Sequence, residues 1–486
     1  MYGDKACKMT FVMDVGEDGQ ELQLTEEKKG LFCSADGGIQ IVVEHPKDSE
    51  EGILYRYVNN KEKFDERMRK YGELLLRQFQ NKYEEHIKEK KESLESGLEF
   101  DENDGENQES SIKVPYDPQL ITVAQARFSL KEIVSMVDGE EDEEPVLDLA
   151  PAFQRDYVWD NVRKSRLIES ILLNIPLPMF YFSRDKNGKL QVVDGLQRLT
   201  TIYKFFKNEF KLSKLEYLGT ECEGKYFKRT DLDEDKSLRP RFVRALRRYQ
   251  IDCNVIEPST PENVKLDIFK RLNTGGKELN KQEVRHAFMK KNVRDFIKEL
   301  VDSDSFQRAT SHGVSDIRMM AQELVLRYIG FYCLTFDNFL NLEYMTQMND
   351  FLDSVAVGLN NCAQIPYQAI KDNFVESMEK AVIMFGDRAF RKIFKDEKGG
   401  ISDKKAPVNK SLFIAFSIML RHHSMDKIEK RGNIVIEFAN FLQEDADFYY
   451  AISHNTNYLL RDKTLNNVYT FLESIYGKGE CLKIDS

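Results

Sequence analysis

The chain has 486 residues, of which 41% are hydrophobic and 11% aromatic, as in globular proteins. This length is enough for about three domains, which excludes a mini-protein that depends on disulfides. The seven cysteines are odd in number and widely spaced, without a Cys-x-x-Cys pair, which argues against a disulfide framework and a zinc knuckle. No segment approaches the about 20 apolar residues of a membrane helix, and residues 1–22 lack a signal-peptide pattern. We therefore expect a cytoplasmic protein with no membrane partner.

The net charge of −11 is concentrated in two short segments. Residues 91–110 contain eight acidic side chains and one lysine, and residues 138–148 contain seven acidic side chains and no base. The rest of the chain is slightly basic, so the overall acidity does not exclude nucleic-acid binding, which depends on a local patch. Residues 95–111 are too polar to bury a core and predict a linker, and residues 138–144 predict a solvated loop.

Apolar periodicity and composition predict the α+β class. The repeat of apolar side chains every three or four positions from Phe64 to Ile87 predicts one long amphipathic helix. Its stripe packs either against a neighbouring domain face or against a second copy of the chain. The predicted parts are a small β-rich unit (1–58), the long helix (59–94), an acidic linker (95–117), a core (118–300) and a helical domain (301–486).

The core is predicted in most detail. Asp160 is placed to cap a helix that ends before Pro176. The next predicted elements are two strands at 179–183 and 189–193, joined by a type I′ turn at Asn187-Gly188, a helix after Asp194-Gly195, a strand at 249–256 and a helix at 262–272.

The junction between the second strand and its following helix predicts a phosphate-binding turn. A helix N-terminus offers unpaired N–H groups, and Gly195 has no side chain to keep an anion away from them. Arg198 can add a charged fork, while Gln197, Thr200 and Thr201 add hydrogen-bonding groups. Asp194 either caps the helix or holds a divalent metal. A capped helix with a surface arginine explains the same residues equally well.

Two other segments are candidates for the same site. Gln154 and Arg155 form an amide–guanidinium pair near Trp159, which either flanks a base or packs in the core. Residues 268–276 end a helix on two glycines just after Asn273, which is also typical of an ordinary helix C-cap.

Four motifs together resemble domain-of-unknown-function family 262, the DGQQR-motif family, which is similar to the S half of GmrS/GmrD modification-dependent restriction enzymes. They are FQRDYVW at 153–159, NIPLP at 174–178, DGLQRLTT at 194–201 and IFKRLNTGG at 268–276. The resemblance implies a ParB/sulfiredoxin-like core, binding of ATP, GTP or CTP with Mg²⁺, hydrolysis, and a role in DNA restriction or phage defence. A separate nuclease subunit is an implied partner.

The resemblance also assigns roles to single residues. It implies catalytic roles for Asp194, Gln197 and Arg198, with Asp194 on the metal. Nucleotide-binding roles are implied for Gln154, Arg155, Gly195, Thr200, Thr201 and Asn273.

The chain departs from the family in two ways. Leu196 replaces the first glutamine of DGQQR, which predicts weakened hydrolysis with phosphate binding retained. The C-terminal histidines do not form a nuclease motif: His422 and His423 follow an amphipathic helix and are predicted to lie at its end or on the surface. His454, His286 and His312 are isolated and receive no catalytic role.

A cluster of arginines supports a different class of function. Arg241, Arg244 and Arg248 lie on one face of a predicted helix, and Arg239 lies at the start of that helix. This face can either contact a nucleic-acid backbone or be a solvated face that pairs with acidic residues 231–235. The first hypothesis is an NTP-binding regulatory protein, and the second is a DNA-binding or scaffolding protein with a vestigial pocket. A third, weaker hypothesis makes the core itself a nuclease.

Overall fold

A computed structural model describes residues 9–15, 20–35, 37–44, 53–57, 66–100, 120–139, 144–149, 159–228, 236–272, 280–336, 338–343, 345, 347–396, 398–453 and 460–477. Two five-stranded sheets are followed by a long helical region. The predicted α+β class, with a small N-terminal sheet and a helical C-terminal region, is confirmed.

The N-terminal sheet is an antiparallel meander. Its strands, in spatial and chain order, are β1 (Thr10–Val15), β2 (Gln20–Lys28), β3 (Leu31–Ser34), β4 (Gln40–Glu44) and β5 (Leu54–Tyr57). The 30-residue helix α1 (Glu66–Glu95) packs Phe79 and Tyr83 against Phe11 and Phe32 of the sheet. The apolar stripe of α1 therefore packs against the chain's own sheet, the first of its two alternatives, and is not free to pair with a second copy through these side chains.

The predicted acidic linker does not begin at Glu95. Ser96 and Leu98 are buried, and the backbone of Leu98 bridges to Val408 in the helical region. The carboxylate of Glu99 accepts hydrogen bonds from Lys392 at 2.6 Å and from Asn409 at 2.8 Å. The charge of Glu99 is therefore paired rather than solvated. Residues 96–100 attach α1 to the helical region. Residues 101–119 lie outside the described part of the chain.

The second sheet forms the middle of the chain and has the strand order β6-β10-β8-β9-β7. The β6–β10 and β8–β9 pairs are antiparallel, whereas β10–β8 and β7–β9 are parallel. The strands are β6 (Val123–Ser129), β7 (Leu147–Asp148), β8 (Phe180–Arg184), β9 (Leu190–Asp194) and β10 (Gln250–Ile256).

Six helices accompany this sheet, and five of them contribute buried side chains to one apolar cluster with it. As predicted, Asp160 caps α3, because its carboxylate accepts the Arg163 N–H at 2.7 Å. The helices are α2 (Leu130–Asp138), α3 (Asn161–Leu172), α4 (Leu196–Phe206), α5 (Gly219–Cys222), α6 (Pro240–Arg248) and α7 (Glu262–Leu272).

The turn between β8 and β9 differs from the predicted type I′ turn. Gly188 has φ of +84°, whereas Asn187 is not among the residues with positive φ, and a type I′ turn needs both. The Gly188 N–H donates to the Asp185 carbonyl at 3.1 Å, and the Asp185 carboxylate accepts the Asn187 and Lys189 N–H groups. This pattern is a type I turn followed by a left-handed glycine. Because the Asp185 carboxylate accepts the Asn187 N–H, the backbone of Asn187 favours the right-handed conformation.

The helical region begins after α7 and buries one large apolar cluster. Its central helices α11 and α14 are buried almost throughout, because helices pack around them. The helices are α8 (Lys281–Phe288), α9 (Lys291–Asp302), α10 (Asp304–Ala309), α11 (Met320–Thr335), α12 (Met348–Asn361), α13 (Tyr367–Phe385), α14 (Lys410–Met419), α15 (Met425–Arg431), α16 (Val435–Glu444), α17 (Ala446–Ser453) and α18 (Asn466–Tyr476), with shorter 3₁₀ turns at Ile317–Met319, Gly386–Arg388 and Leu420–His422 and a π-helical turn at Leu460–Leu465.

The histidines at the end of α14 correct one prediction. His422 and His423 do follow the helix, but both are buried rather than on the surface. They pack against the rings of Tyr469 and Tyr476 of α18. Of the two predicted placements, the helix end is the one found, and the surface placement is wrong because α18, which is distant in sequence, covers this helix end. His454 lies outside the described residues.

Of the seven cysteines, the five in the described part of the chain form no disulfide with one another: Cys33, Cys222, Cys253, Cys333 and Cys362. Among the described residues, none of the helices has the length and apolarity needed to cross a membrane.

Candidate functional site

Gly195 joins β9 to α4 in a conformation that favours glycine. Its φ is +101°, in the left-handed region, and it is buried beside the ring of Phe180. A Cβ atom at this position would overlap the Phe180 ring, with its Cε1 at 2.9 Å. The predicted junction therefore exists, but close packing is sufficient to explain its glycine. No side chain caps α4, so Asp194 does not act as the N-cap residue.

Arg198 is held by contacts with its own domain. Its guanidinium donates to the carbonyls of Pro178 and Met179, the latter at 3.2 Å, and pairs with the Asp194 carboxylate at 3.1 Å. It also lies over the Phe180 ring, 4.2 Å from the centroid. Burial lowers the pKa of this guanidinium, and Asp194 partly offsets the effect. These contacts fix the Pro178–Phe180 turn to α4 and leave the side chain 13% exposed.

Thr201 is the second predicted ligand on this inner side of α4. It is fully buried, and its hydroxyl donates to the Gln197 carbonyl at 2.7 Å. Asp194, Gly195, Arg198 and Thr201 thus form what we call the closed face of α4. The structure does not confirm the predicted phosphate cradle on this face, because its charged groups already neutralise each other.

An adjacent side of α4 opens into a cavity of about 1480 Å³. Leu196, Gln197, Thr200 and Lys204 line it, and we call them the open face. Two of them, Gln197 and Thr200, are predicted site residues. The Oε1 atom of Gln197 is buried without a hydrogen-bond partner among the described residues. An unpaired buried acceptor is costly, so a donor supplied by a ligand or by water would stabilise it.

The wall facing α4 comes from α7, α9 and the end of α12. Lys265 is 4% exposed and pairs with Glu262 at 2.9 Å. Lys290 donates to the Asn360 carbonyl at 2.6 Å, and the Asn360 amide donates to Glu262 at 3.3 Å. These contacts place two lysines on one wall in fixed positions.

Arg294 completes this wall. It is 7% exposed and pairs with Asp148 of β7, the edge strand of the second sheet. In the neighbouring strand β9, the Gln191 amide donates to the carbonyls of Ala287 and Met289, the latter at 3.1 Å. The cavity, which we call the basic cleft, thus lies where the sheet meets the helical region.

Charge is the main chemical property of the basic cleft. Seven basic and four acidic side chains line it. Six of the seven basic side chains pair with a carboxylate, whereas in the described chain Lys290 donates to a backbone carbonyl. A phosphate group can therefore interact with Lys290 directly and must share the other cations with their carboxylates. The basic cleft also contains amide and hydroxyl groups on the open face, so its residues fit a ligand that carries phosphate groups and a polar, planar part.

The residues described by the structure do not support a protein-held metal centre. No group of three or more His, Cys, Asp and Glu side chains within this part of the chain is placed to hold a metal. Asp194, the predicted metal ligand, uses its carboxylate on Arg198. The prediction that Asp194 binds Mg²⁺ through phosphate oxygens stays a prediction.

Three predicted site residues, Gln154, Arg155 and Asn273, lie outside the described residues. Trp159 is described, and the guanidinium of Arg163 lies 4.5 Å from the centroid of its ring. The tryptophan therefore has a stacked arginine, as in the core-packing alternative.

The predicted nucleic-acid arginines are on the outer face of α6. Arg241, Arg244 and Arg248 are exposed, and Arg239 is the residue before the helix. Both Arg239 and Arg241 pair with Glu221 of α5, so part of the cluster is neutralised. The acidic residues 231–235, suggested as partners, lie outside the described chain.

Sequence reasoning missed the facing wall of the basic cleft. Lys265, Lys290, Arg294 and Asn360 belong to no local motif, and they are spread over three helices and a loop. The adjacent Lys290 and Lys291 at the start of α9 are a weak signal, since paired lysines are common on surfaces.

The comparison with protein families concerns the segment that carries α4. No curated protein and no solved structure matches the chain. Residues 130–290 match the family model described as the GmrSD restriction endonuclease, N-terminal domain, which agrees with the predicted resemblance to this restriction family. The match contains β8, β9, α4 and α7 and ends at Lys290, so one wall of the basic cleft belongs to the matched segment and Arg294 and Asn360 lie beyond it. This segment is therefore similar to the N-terminal domain of the GmrSD restriction endonuclease.

Proposed function

We propose that this protein is the NTP-binding regulatory component of a DNA-restriction or phage-defence system. The observation that carries the proposal is the basic cleft beside α4. The match of residues 130–290 to a restriction endonuclease domain supports the biological context. In this proposal, the nuclease is a separate subunit.

The basic cleft, rather than the closed face of α4, is the proposed nucleotide site. Lys265, Lys290 and Arg294 supply positive charge for the phosphates. Gln197 and Thr200 supply hydrogen-bonding groups on the other wall. The cavity volume of about 1480 Å³ exceeds that of most small-ligand sites, so a nucleoside triphosphate has room to enter.

Hydrolysis is the weaker part of the proposal. Leu196 lines the basic cleft at the position where the family has a glutamine. A leucine side chain cannot hydrogen-bond to an attacking water. We therefore expect slow turnover in the wild type and faster turnover in Leu196→Gln, measured as phosphate release at saturating nucleotide.

Calorimetry tests nucleotide binding directly. ATP, GTP and CTP are titrated with Mg²⁺ into the full chain and into Lys290→Gln. The variant is expected to bind about tenfold more weakly, because one charged hydrogen-bond donor is lost. Lys298→Gln is the matched control, since Lys298 is on the adjacent helix α9 and pairs with Asp302, outside the cleft lining. Absence of binding heat for all three nucleotides in the folded protein would contradict the proposal.

A DNA-binding function is the second candidate, favoured by the exposed Arg244 and Arg248 on α6. Gel shifts with plain and modified DNA at several salt concentrations test it, because each lost phosphate contact reduces the salt dependence. If DNA binds to this face of α6, the double variant Arg244→Gln/Arg248→Gln is expected to bind DNA more weakly in the gel shift. A shift that is insensitive to nucleotide would favour a scaffolding role over NTP-dependent regulation.

Incubation of plasmid with the protein and Mg²⁺ or Mn²⁺ tests the nuclease hypothesis, and intact DNA removes it.

A further inference from the structure

One ion pair in the basic cleft joins two separate elements. Asp148 on β7 and Arg294 on α9 are 146 positions apart in the sequence, and both line the cavity. The Arg294 side chain is 8% exposed, whereas that of Asp148 is 31% exposed. The carboxylate is therefore the more accessible partner, and the guanidinium is reached from the basic cleft beside it.

The chemistry of this pair resembles that of a bound phosphate. A guanidinium binds carboxylate and phosphate oxygens with the same planar set of N–H donors. In the described chain, the hydrogen bond from Arg294 Nη2 goes to Asp148 Oδ2. A phosphate that approaches Arg294 must either share the guanidinium with the Asp148 carboxylate or displace that carboxylate. Sharing is opposed by the repulsion between the two negative groups.

We infer that Asp148 is an internal competitor of the ligand: in the free protein it occupies the place on Arg294 that a phosphate group takes in the complex. This inference rests on the proposed function. Its consequence is that ligand binding separates β7 from α9 at this contact. The loss of the Asp148–Arg294 pair is then part of the cost of binding, and it lowers the affinity of the wild type.

The test compares nucleotide affinity in two variants of Asp148. Asp148→Asn keeps the shape and one acceptor oxygen but removes the charge, so it is expected to bind ATP about fivefold more tightly than the wild type. Asp148→Glu retains a competing carboxylate and is expected to stay within about twofold of the wild type. Asp302→Asn is the matched control, because it removes one charge from α9 outside the cleft lining.

Isothermal titration calorimetry gives the dissociation constants. If Asp148→Asn is less stable, the rise in Tm at a fixed ATP concentration gives the same comparison and is expected to exceed the wild-type rise. Equal or weaker binding by Asp148→Asn, in a protein whose wild type binds ATP, would overturn the inference while leaving the proposed function intact. No binding by the wild type or any variant would instead refute the proposed function.

Discussion

The two faces of α4 carry neighbouring residues of one motif but differ in what they contact. On the closed face, Arg198 reaches two backbone carbonyls, a carboxylate and a ring within its own domain. On the open face, Gln197 and Thr200 reach a cavity lined by distant cations. The difference shows that one sequence motif can contain residues that face a ligand cavity and residues that hold the helix α4 in place. Substitutions on the two faces should therefore change different quantities.

The largest expected effect is on the closed face. Gly195→Ala is expected to reduce the free energy of unfolding by about 4 kcal/mol, because alanine is strained at this φ and overlaps Phe180. Urea titration measures the loss. Gly188→Ala is a control with positive φ but open space around the Cβ position, and its loss should be only about 1 kcal/mol. Equal losses in the two variants would show that packing against Phe180 is unimportant.

Arg198→Ala gives the sharpest comparison between the two faces. The variant is expected to lose about 3 kcal/mol of stability, since Asp194 and two carbonyls lose a charged donor. Nucleotide affinity of the folded fraction should change by less than about threefold, because Arg198 does not line the basic cleft. A folded variant of normal stability that no longer binds nucleotide would place the site on the closed face instead.

Much of the fold was predictable because the signals are local. The cap at Asp160, the junction at Gly195 and the helix at 262–272 follow from the cap residue, the glycine and the apolar spacing. The turn at Asn187 differed because the carboxylate of Asp185 supplies an alternative partner for the backbone. Residues 96–100 differed because the carboxylate of Glu99 finds partners in the distant helical region.

The candidate site was only partly predictable for the same reason. Gln197 and Thr200 belong to a recognisable motif, and the structure places both at the cavity. The direction in which Arg198 points depends on Pro178 and Phe180, which no spacing rule connects with it. Arg294 becomes a site residue only when β7 and α9 meet. The ParB/sulfiredoxin-like character of the core and the domain limits other than the start of the acidic linker stay predictions.

His423 extends the comparison to a closed position in the helical region. Burial, helped by nearby His422 and Lys427, lowers its pKa from 6.5 to about 4. Between these values the unfolded chain binds more protons, so stability falls as the pH falls. Protonation of His423 in the unfolded chain should lower the free energy of unfolding by about 2 kcal/mol between pH 7 and pH 5. His423→Phe is expected to lack that loss in urea titrations, because neither ring nitrogen has a partner among the described residues.

The smallest expected effect is on the open face and has the opposite sign. Gln197→Met removes the buried Oε1 atom that lacks a partner in the described structure, so the ligand-free protein should gain about 1 kcal/mol of stability. The same change removes a hydrogen-bonding group from the basic cleft and should weaken nucleotide binding about fivefold. Thr201→Val is the matched control on the closed face, where the hydroxyl bonds the Gln197 carbonyl and faces no cavity. That variant should leave affinity unchanged. A gain in stability joined to a loss of affinity, found at Gln197 alone, would show that the open face is tuned for a ligand, because a residue selected for folding would not keep an unpaired acceptor there.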